Sequence, residues 1–592
     1  MTKSVLPILL ILLFALSCDS TGPGNSANVF GDNVPDPEAV AEGPVESDVV
    51  LDIVIGLARS QDSLAERVDE LHDPGSPHYH DFRSVSEIAE QFGADDSAIK
   101  TVQEYLDGLG ISLTADATKG FLHGRATAAQ LNQLFDTELF YYKIDEGTFI
   151  APSIAPSLPA ALNGLVTEVL GLSTEPSLWE ISPSDNSEDA LGPSVAIDTP
   201  GSPTVTGTRE GCADALKQKG FTPNQFRTAY GIDDLHKLGF DGQGITMALV
   251  EGTSFEQSNI DKFTSCFEIS NPVVPTVVQL GSDELNPDGE PFLDIEIALM
   301  IAPKLSGLYV FQKKLNSLAD WVTLFSAPLD TKHTAGVPVQ IMSGSLGNCE
   351  VKWGFAAIST LEFVFMNAAA SGVHVFISAG DSGSSTCFHH DKKTKTKSAE
   401  YPASSQYVTG VGGTNLALNE DNTIKGEGVW NDQDYPAPYN KKFAAGGGGK
   451  SMFLSRPLWQ KGTKIKGFRR TTPDVAFYGD ILPGYVINDS LKGWHDVAGT
   501  SAATPFFAAS MALVLEAAAE NDVTLDLTYQ LIYKLANSDA YTGVFQDVVI
   551  GNNDLFDVGC CTAGPRYDMA SGWGSLNIDS LAEVLIPGLG NR

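Results

Sequence analysis

GTSAATPFFAASMALVLEAA, residues 499–518, is almost wholly apolar from Pro505 onward and predicts a buried helix. Upstream, apolar helical stretches such as 355–370 lie between candidate buried strands, which are 244–252, 305–312, 336–345 and 372–383. This alternation predicts an α/β fold with a mostly parallel sheet and helices on both faces. Functional sites in such folds lie at the carboxyl ends of the strands. We therefore expect the N-terminus of the 505–518 helix to point toward a site there.

The domain organisation follows from length and composition. The chain has 592 residues, more than one ordinary domain holds. Residues 19–46 predict a flexible leader, and residues 47–173 mix strand and helix patterns typical of a small α+β domain. Residues 174–210 are rich in Pro, Ser, Asp and Gly and predict a linker open to cleavage. The α/β domain is expected at 211–590.

The N-terminus predicts export. Residues 1–18 place one Lys before an apolar run that is too short for a comfortable membrane span, followed by small residues. Residues 15–18, Ala-Leu-Ser-Cys, resemble the lipobox of bacterial lipoproteins, although Leu is preferred where Ala15 stands. Two outcomes stay open. Either Cys18 is lipidated and attaches the protein to a membrane, or ordinary cleavage nearby releases a secreted protein.

The cysteine count fits an exported protein. There are seven, and six remain if Cys18 carries lipid, which allows 15 full pairings. Cys560 and Cys561 are adjacent, so we expect them to pair with separate partners. No Cys-x-x-Cys or His-Glu-x-x-His spacing indicates zinc.

The charge balance excludes one class of partner. The chain carries 37 Lys and Arg against 74 Asp and Glu, a formal charge of −37. Nucleic acid is not an expected partner, because phosphate binding needs a basic face. The balance is compatible with work in acid, where protonation of carboxylates reduces self-repulsion. The commoner reason for such a charge is solubility.

The segment 499–505 resembles the nucleophile motif of subtilisin-like peptidases, with Ser501 as the nucleophile. Such a serine needs a base, and the expected base is a histidine followed by Gly-Thr. None of the ten histidines has that context. His123 comes closest but precedes the linker, and His495 is six residues from Ser501 and poorly placed. A histidine-dependent subtilisin-like peptidase is therefore not expected.

Carboxylates offer another route. Glu290 and Asp294 are four residues apart and, if helical, share one face of the helix. If they are buried, repulsion raises one pKa, so one carboxyl can hold a proton while the other accepts one. The alternative is an exposed acidic helix face. Asp381 follows an apolar strand in SAGDSG, where the alternative is a turn aspartate capping its own backbone.

In this order, Glu-x-x-x-Asp at 290–294, Gly-Asp-Ser-Gly at 380–383 and Gly-Thr-Ser-Ala at 499–502 resemble the sedolisin family of serine-carboxyl peptidases, acid-acting relatives of subtilisin in fold. The resemblance covers most of the chain. Further matching segments are GSPHYHDFRSVSEIAEQFG (75–93), GVWND (428–432), GGGGKSMFLSRPLWQ (446–460) and RRTTPDVAF (469–477).

The resemblance assigns catalytic roles. It implies that Glu290 is the base for Ser501, that Asp294 is hydrogen-bonded to Glu290, and that Asp381 serves the oxyanion hole. A neutral carboxylic acid can donate a hydrogen bond to an oxyanion, and one such donor is worth roughly 3 kcal/mol. Free Asp has a pKa of about 3.9, so activity is expected in acid.

The resemblance also implies one Ca²⁺ ion near the C-terminus, held by oxygen ligands as this hard cation requires. The implied ligands are the side chains of Asp547 and Asp568 and the carbonyls of Val548, Gly564 and Arg566. Arg566 stands where the family usually has glycine. The implied substrate groove is lined by Ser345, Leu346 and Gly347. Some members have Trp where Leu346 stands, linked to a glutamate matching Glu251, so we expect that outer network to be shortened here.

Together these features imply a monomeric proenzyme that cuts its own linker in acid and hydrolyses peptide bonds through an acyl-enzyme on Ser501. Residues 47–173 would be a ferredoxin-like pro-domain that inhibits the enzyme and assists its folding. The predicted activity is that of an endopeptidase, and the alternative is a tripeptidyl-peptidase of the same family. A catalytically inactive binding protein on the same fold is the rival from another class, because fold alone does not decide function.

Overall fold

The computed structural model describes residues 29–31, 35, 39–144, 147–175, 207–391, 396–434 and 444–591. The predicted export signal at 1–18 and most of the predicted linker at 174–210 lie outside the described residues.

The N-terminal region contains mixed helices and strands, as predicted. Its main sheet is antiparallel in the order β3-β4-β2-β7, and a separate sheet has the order β1-β5-β6. The elements are β1 (Val40–Pro44), β2 (Val50–Leu57), α1 (Gln61–Leu71), α2 (Val85–Phe92), α3 (Asp96–Asp107), β3 (Leu113–Ala115), β4 (Phe121–Thr127), α4 (Ala128–Phe135), β5 (Leu139–Ile144), β6 (Gly147–Pro152) and β7 (Val166–Leu170).

The C-terminal region begins with helices and then alternates strands and helices. Its elements are α5 (Pro223–Ala229), α6 (Ile232–Leu238), β8 (Thr246–Glu251), α7 (Gln257–Cys266), β9 (Thr276–Gln279), α8 (Gly289–Ile301), β10 (Gly307–Gln312), α9 (Leu318–Ser326), β11 (Ile341–Gly344), β12 (Asn348–Cys349), α10 (Glu350–Ala370), β13 (His374–Ser378), α11 (Thr386–Asp391), β14 (Glu400–Tyr401), β15 (Thr409–Leu418), β16 (Ile424–Val429), β17 (Gly449–Ser455), β18 (Arg469–Thr472), β19 (Val475–Tyr478), β20 (Tyr485–Asp489), β21 (Gly493–Val497), α12 (Thr500–Glu520), α13 (Thr528–Ala536), α14 (Tyr541–Val544), β22 (Phe545–Gln546), β23 (Ser575–Leu576) and α15 (Ile578–Leu585).

The central sheet has the order β16-β15-β13-β11-β8-β10-β9, with β19 also paired to β15. Every pairing is parallel except that of β15 with β16. The alternation of strands and helices therefore predicted the fold class correctly. Because β8, β11 and β13 are parallel neighbours, their carboxyl ends meet at one edge of the sheet.

Two long helices run through the core. The helices α10 and α12 have the length and hydropathy of a membrane span, but 83% and 89% of their apolar windows are buried inside the fold. They are therefore described best as core helices, since a helix that is apolar all round must be covered on every side. The burial of α12 confirms the prediction made from residues 505–518.

The N-terminal region packs against the C-terminal region through two apolar clusters. In one, α1 and α2 contribute Leu64, Val68 and Phe92, which pack with Phe363 and Met366 of α10. In the other, strands of the N-terminal sheet bring Val54, Phe121 and Leu170 into a cluster with residues of β8, α9, α10 and β11. Both clusters exclude water, so apolar burial is the main stabilising force between the two regions.

The disulfides correct one prediction. Cys560 and Cys561 pair with each other rather than with separate partners. The tertiary structure joins Cys212 to Cys266 and Cys349 to Cys387. These two bridges use the other four described cysteines, so no separate partner is left for the adjacent pair within the described part of the chain.

Candidate active site

Glu290 and Asp294 lie one turn apart on α8, which begins after Asp288. The Asp288 side chain accepts a hydrogen bond from the Gly289 N–H at 2.6 Å and caps the helix. The alternative of an exposed acidic face is wrong, because every residue from Glu290 to Ile301 is buried. The surrounding apolar side chains of α8 require this burial on all sides.

Ser501 lies in the first turn of α12, beside the segments that follow the carboxyl ends of β11 and β13. The Ser345 hydroxyl, just after β11, joins the serine to the carboxyl pair. It lies 2.8 Å from Asp294 Oδ2 and 3.2 Å from the Ser501 carbonyl oxygen. Residues more than 200 positions apart in sequence thus meet within a few ångströms.

The buried carboxyls have strongly altered proton affinities. Burial raises the pKa of Asp294 to about 8, while interactions with Ser345 and Glu251 oppose the rise. The pKa of Glu290 is raised well above its usual value, first by burial and then by the charge of Asp294, and a hydrogen bond from the Ser501 hydroxyl opposes this. The two groups therefore exchange protons as one unit, in contact with the serine.

Glu251 extends this carboxyl network. It is fully buried at the end of β8, and burial together with the charges of Asp294 and Glu290 raises its pKa. The neighbouring Leu346 packs in an apolar cluster with Trp321 and Trp353. The carboxyl network therefore reaches Glu251, while Leu346 packs in the core.

Asp381 follows β13 and is held by the start of α12. The Thr500 N–H and hydroxyl donate to its Oδ1 at 2.8 and 2.9 Å. The other oxygen, Oδ2, lies 2.8 Å from where a Cβ on Gly499 would stand, and Gly499 has φ of +126°. A side chain at 499 would be strained and would crowd Oδ2, so glycine keeps this oxygen accessible beside Ser501.

Burial raises the pKa of Asp381, and the hydrogen bonds from Thr500 oppose the rise. The protonated form is therefore favoured at higher pH than for a free aspartate. The alternative reading of Asp381, a turn residue capping its own backbone, does not describe these contacts, because both donors come from α12.

Three contributors escaped the sequence analysis. Thr500 precedes Ser501 in the Gly-Thr-Ser motif, and that position is the one signal for it. Glu400 is buried against Gly380, and burial and the Asp381 charge raise its pKa to about 8. Asp432 is also buried, with a raised pKa caused by burial and by Asp480, and it accepts a hydrogen bond from the Trp430 indole at 2.8 Å. The buried carboxyls near Asp381 therefore keep their protons to higher pH than free carboxyls do.

The segment of the predicted substrate groove borders this site. Ser345 contacts Asp294, while the Leu346 side chain points into the core. Gly347 lies against Glu400, whose Oε1 is 2.3 Å from where a Cβ at 347 would be. The side chains of Ser345 and Leu346 are therefore both engaged inside the protein, the first with Asp294 and the second in the core.

The two histidines nearest to a triad context are engaged elsewhere. His123 lies in β4 of the N-terminal region. His495 lies in β21, with its Nδ1 3.0 Å from the Gly493 carbonyl oxygen and its Nε2 3.4 Å from Asp489.

The predicted calcium ligands are gathered at one loop. Asp547 accepts the Arg566 N–H at 2.9 Å, and Asp568 accepts the Gly564 N–H at 2.8 Å. The Val548 carbonyl lies 3.3 Å from the Ser571 hydroxyl. Arg566 adopts φ of +65°, which explains why glycine suits this position. Among the described residues there is no group of three or more His, Cys, Asp or Glu side chains that could hold a metal.

This loop still fits a calcium ion in its donor chemistry. Asp547 and Asp568 both flank the turn that contains Gly564 and Arg566, and all five candidate donors are oxygens. The Arg566 guanidinium stacks 4.2 Å from the Tyr541 ring centroid, and it donates to the Ala536 carbonyl. The Arg566 guanidinium is therefore occupied by Tyr541 and the Ala536 carbonyl.

Comparison with known proteins places the chain. Residues 37–174 match the family model "Pro-kumamolisin, activation domain", and residues 326–551 match "Subtilase family". Kumamolisin from Bacillus sp. (strain MN-32) is 27% identical, covering 93% of this chain and 94% of the relative. Sedolisin from Pseudomonas sp. (strain 101) is 25% identical over 90% of this chain and 86% of the relative. The chain belongs to the sedolisin family.

Two further likenesses agree with this assignment. Tripeptidyl-peptidase 1 from Canis lupus familiaris is 25% identical, over 93% of this chain and 94% of the relative. The solved structure of Pseudomonas sedolisin, a serine-carboxyl proteinase in complex with pseudo-iodotyrostatin, matches with a TM-score of 0.52 and 23% identity, covering 64% of this chain and 98% of that one. That structure supports the fold. This sedolisin-family chain is thus a serine-type peptidase preceded by an activation domain.

Proposed function

We propose that this protein is an acid-acting serine-carboxyl endopeptidase, made as a proenzyme that processes itself. One observation carries the proposal. Glu290, Asp294, Asp381 and Ser501 come from three separate parts of the chain and meet at one edge of the sheet, with Ser501 hydrogen-bonded to Glu290. A binding protein would have no need of a serine in contact with a buried carboxyl pair.

In the proposed reaction, the Ser501 hydroxyl attacks the carbonyl carbon of the scissile peptide bond and passes its proton to Glu290. Asp294 shares protons with Glu290 and keeps one carboxyl of the pair able to accept. Glu290 then returns the proton to the leaving amine, and an acyl-enzyme remains on Ser501. Water hydrolyses this ester, again with Glu290 as the base.

Asp381 is proposed to stabilise the oxyanion of each tetrahedral intermediate. Its Oδ1 is engaged by Thr500, so a proton on Oδ2 is free to be donated beside Ser501. The positive N-terminal end of α12, which carries Ser501, favours the same developing charge. Since Asp381 must be protonated, activity is expected to fall as pH rises through its raised pKa.

A tripeptidyl-peptidase activity is the second candidate, because tripeptidyl-peptidase 1 is among the similar proteins. The two activities are separated by the substrate's amino end. An endopeptidase cleaves an N-acetylated peptide, whereas a tripeptidyl-peptidase needs a free amino terminus. Matched acetylated and free peptides with the same internal sequence would distinguish them.

The N-terminal region, about residues 47–173, is proposed to be the pro-domain and its own inhibitor. Its apolar contacts with α10 and the central sheet support tight docking. The linker that would be cut lies outside the described residues. We also propose an extracytoplasmic location, since the three disulfides among the described residues are typical of an oxidising compartment.

A single Ca²⁺ at the loop of Asp547, Val548, Gly564, Arg566 and Asp568 is part of the proposal. When bound, the ion would supply charge compensation and hold this loop together. It is not assigned a role in bond cleavage. Thermal unfolding with EDTA and with added Ca²⁺ tests it, and equal unfolding midpoints for the protein and for Asp547→Ala under both conditions would contradict calcium binding.

The decisive experiment is a pH profile. The purified proenzyme is incubated from about pH 3 to about pH 8, and both loss of the pro-domain and cleavage of a denatured protein are followed beside Ser501→Ala. Activity confined to acid and absent from Ser501→Ala supports the assignment. A maximum near neutrality would contradict a protonated Asp381. Absence of activity at every pH, with no labelling of Ser501 by a serine-directed reagent, would favour a non-catalytic binding protein.

A further inference from the structure

The loop that carries Asp381 is held in place by backbone hydrogen bonds to a glycine-rich segment. We call residues 379–385 the oxyanion loop and residues 445–448 the glycine strand. Four backbone hydrogen bonds join them: Ala445 N–H donates to the Asp381 carbonyl at 2.9 Å, Gly447 N–H to the Gly380 carbonyl at 2.6 Å, Gly448 N–H to the Gly383 carbonyl at 3.3 Å, and Gly383 N–H to the Ala445 carbonyl at 3.0 Å. Three of the four residues of the glycine strand, Gly446, Gly447 and Gly448, have no side chain that could anchor them by packing.

Asn553 anchors both the glycine strand and the oxyanion loop by hydrogen bonds. Its side chain is fully buried, and its Nδ2 donates to the Gly446 carbonyl at 3.0 Å. Its own carbonyl accepts the Ser384 N–H at 3.0 Å. One residue therefore bonds to both the glycine strand and the oxyanion loop, and it closes a ring of hydrogen bonds that contains Asp381.

Asn553 is itself held by hydrogen bonds to Cys561. Its Oδ1 accepts the Cys561 N–H at 2.8 Å, and its N–H donates to the Cys561 carbonyl at 3.0 Å. The Cys560 carbonyl accepts the Ser384 hydroxyl, which adds a second link to the oxyanion loop. The approach is close: Asn553 O lies 2.3 Å from where a Cβ at Gly383 would be, and Gly383 has φ of +59°.

We infer that Asn553 is a positioning residue for the peptidase reaction, which holds the oxyanion loop so that Asp381 faces the scissile carbonyl oxygen. This inference rests on the proposed oxyanion role of Asp381. Asn553 touches no reacting group, so it acts through Asp381 alone. A displacement of about 1 Å at a catalytic group can cost about 100-fold in rate, so loss of this anchor is expected to reduce kcat.

The first test compares Asn553→Ala with a matched control, Asn259→Ala. Asn259 is also a buried asparagine, and its Nδ2 bonds to Asn488 Oδ1 at 2.8 Å, in α7 away from the oxyanion loop. The full chain is allowed to process itself in acid, and kcat is expressed per Ser501 labelled by a serine-directed reagent. This normalisation separates loss of turnover from loss of folded protein.

Asn553→Ala is expected to lower kcat by about 10- to 100-fold with KM changed less than about threefold, while Asn259→Ala keeps its kcat. In an Asp381→Ala background, Asn553→Ala should cause no further loss, because it acts through Asp381. An unchanged kcat, a loss equal to that of Asn259→Ala, or full additivity with Asp381→Ala would each overturn the inference.

Asn553→Asp supplies a pH signature that a purely structural role would not give. One oxygen can still accept from Cys561, but the other faces the Gly446 carbonyl and can bond to it only when protonated. The variant should therefore approach the parent kcat at low pH and lose activity at lower pH than the parent as pH rises, at temperatures well below its unfolding midpoint. A pH profile parallel to that of the parent would contradict the inference.

The control for the proposed function itself is Asp381→Ala alone. If Asp381→Ala keeps the parent kcat, the oxyanion role of Asp381 is wrong, whatever Asn553 does. If Asp381→Ala loses activity and Asn553→Ala does not, only the role of Asn553 is wrong.

Discussion

At the scale of single residues, Asp381 has its two carboxyl oxygens in different environments. Oδ1 receives two hydrogen bonds from Thr500, and Oδ2 lies in the space left open by Gly499. A protonated carboxyl fits these environments, because Oδ1 can accept hydrogen bonds while Oδ2 donates its proton. An amide has the same shape and the same division of roles, without a dependence on pH.

Asp381→Asn is therefore expected to keep measurable activity and to lose the fall in kcat that accompanies rising pH. The raised pKa of Asp381 means that its proton is present below that pKa and lost above it, whereas an asparagine donates at every pH. The measurement is kcat against pH for the parent, Asp381→Asn and Asp381→Ala. The Ala variant, which removes the donor, should lose about 100- to 1000-fold at its optimum. If the fall in kcat at high pH remains unchanged in Asp381→Asn, a group other than Asp381 causes that fall.

Ser345 tunes the carboxyl pair from the other side. Its hydroxyl bonds to Asp294 and opposes the effect of burial, and the pKa of Asp294 that results is about 8. In Ser345→Ala the pKa of Asp294 rises further because the opposing hydrogen bond is lost, so the carboxyl pair stays fully protonated, and unable to accept a proton, up to a higher pH. The acid limb of kcat/KM should move to higher pH, and KM should stay within about twofold. An acid limb that moves to lower pH would contradict this assignment of the Ser345 hydroxyl.

At the scale of elements, α10 serves both regions of the molecule. Its Phe363 is fully buried between the N-terminal helices α1 and α2 and the rest of the fold, and the Arg59 guanidinium stacks 4.7 Å from its ring centroid. Removal of the pro-domain would expose this ring to water. The aromatic side chain therefore stabilises the proenzyme more than the mature enzyme.

Phe363→Ala is expected to weaken docking of the pro-domain, since removal of a buried Phe costs about 3–5 kcal/mol. The measurement is urea unfolding of the full chain carrying Ser501→Ala, which prevents self-processing. Val351→Ala, at an exposed position of the same helix, is the control and should change little. If both variants unfold at the same urea concentration as the parent, the α10 contact does not hold the pro-domain in place.

At the scale of the whole molecule, acid affects the docking of the two regions. His123 in β4 has its pKa lowered to about 4, first by burial and then by the charges of Lys332 and Lys313; Asp330 opposes this and His333 adds to it. The docked state therefore binds this proton more weakly than a free histidine does. Its stability falls as pH drops from about 6.5, the ordinary value, toward about 4.

His123→Gln should consequently make the proenzyme less sensitive to acid. In the Ser501→Ala background, the thermal unfolding midpoint of His123→Gln should fall less between pH 6.5 and about pH 4 than that of the parent. His78→Gln, at a more exposed histidine of the same region, is the control. If the unfolding midpoints of the parent and of His123→Gln depend on pH in the same way, protonation of His123 does not cause the loss of stability in acid.

The sequence by itself determined the fold class, the pairing of Glu290 with Asp294, and the order of the motifs around Asp381 and Ser501. These features depend on local periodicity and on short motifs, which a chain carries wherever it folds. Whether Glu290 and Asp294 are buried stayed open in the sequence, and the tertiary structure decided it. The calcium loop and the substrate segment remain predictions.

Only the tertiary structure decided the pairing of Cys560 with Cys561, the burial of Glu400 beside Asp381, and the bridge of Asn553 between the glycine strand and the oxyanion loop. The last two of these bring together residues that are far apart in sequence, through the order of strands in the sheet and the packing of the segment around Asn553 against it. Neither spacing nor residue type encodes such a meeting. It follows from which strands are neighbours, and that is settled by burial of the whole apolar core.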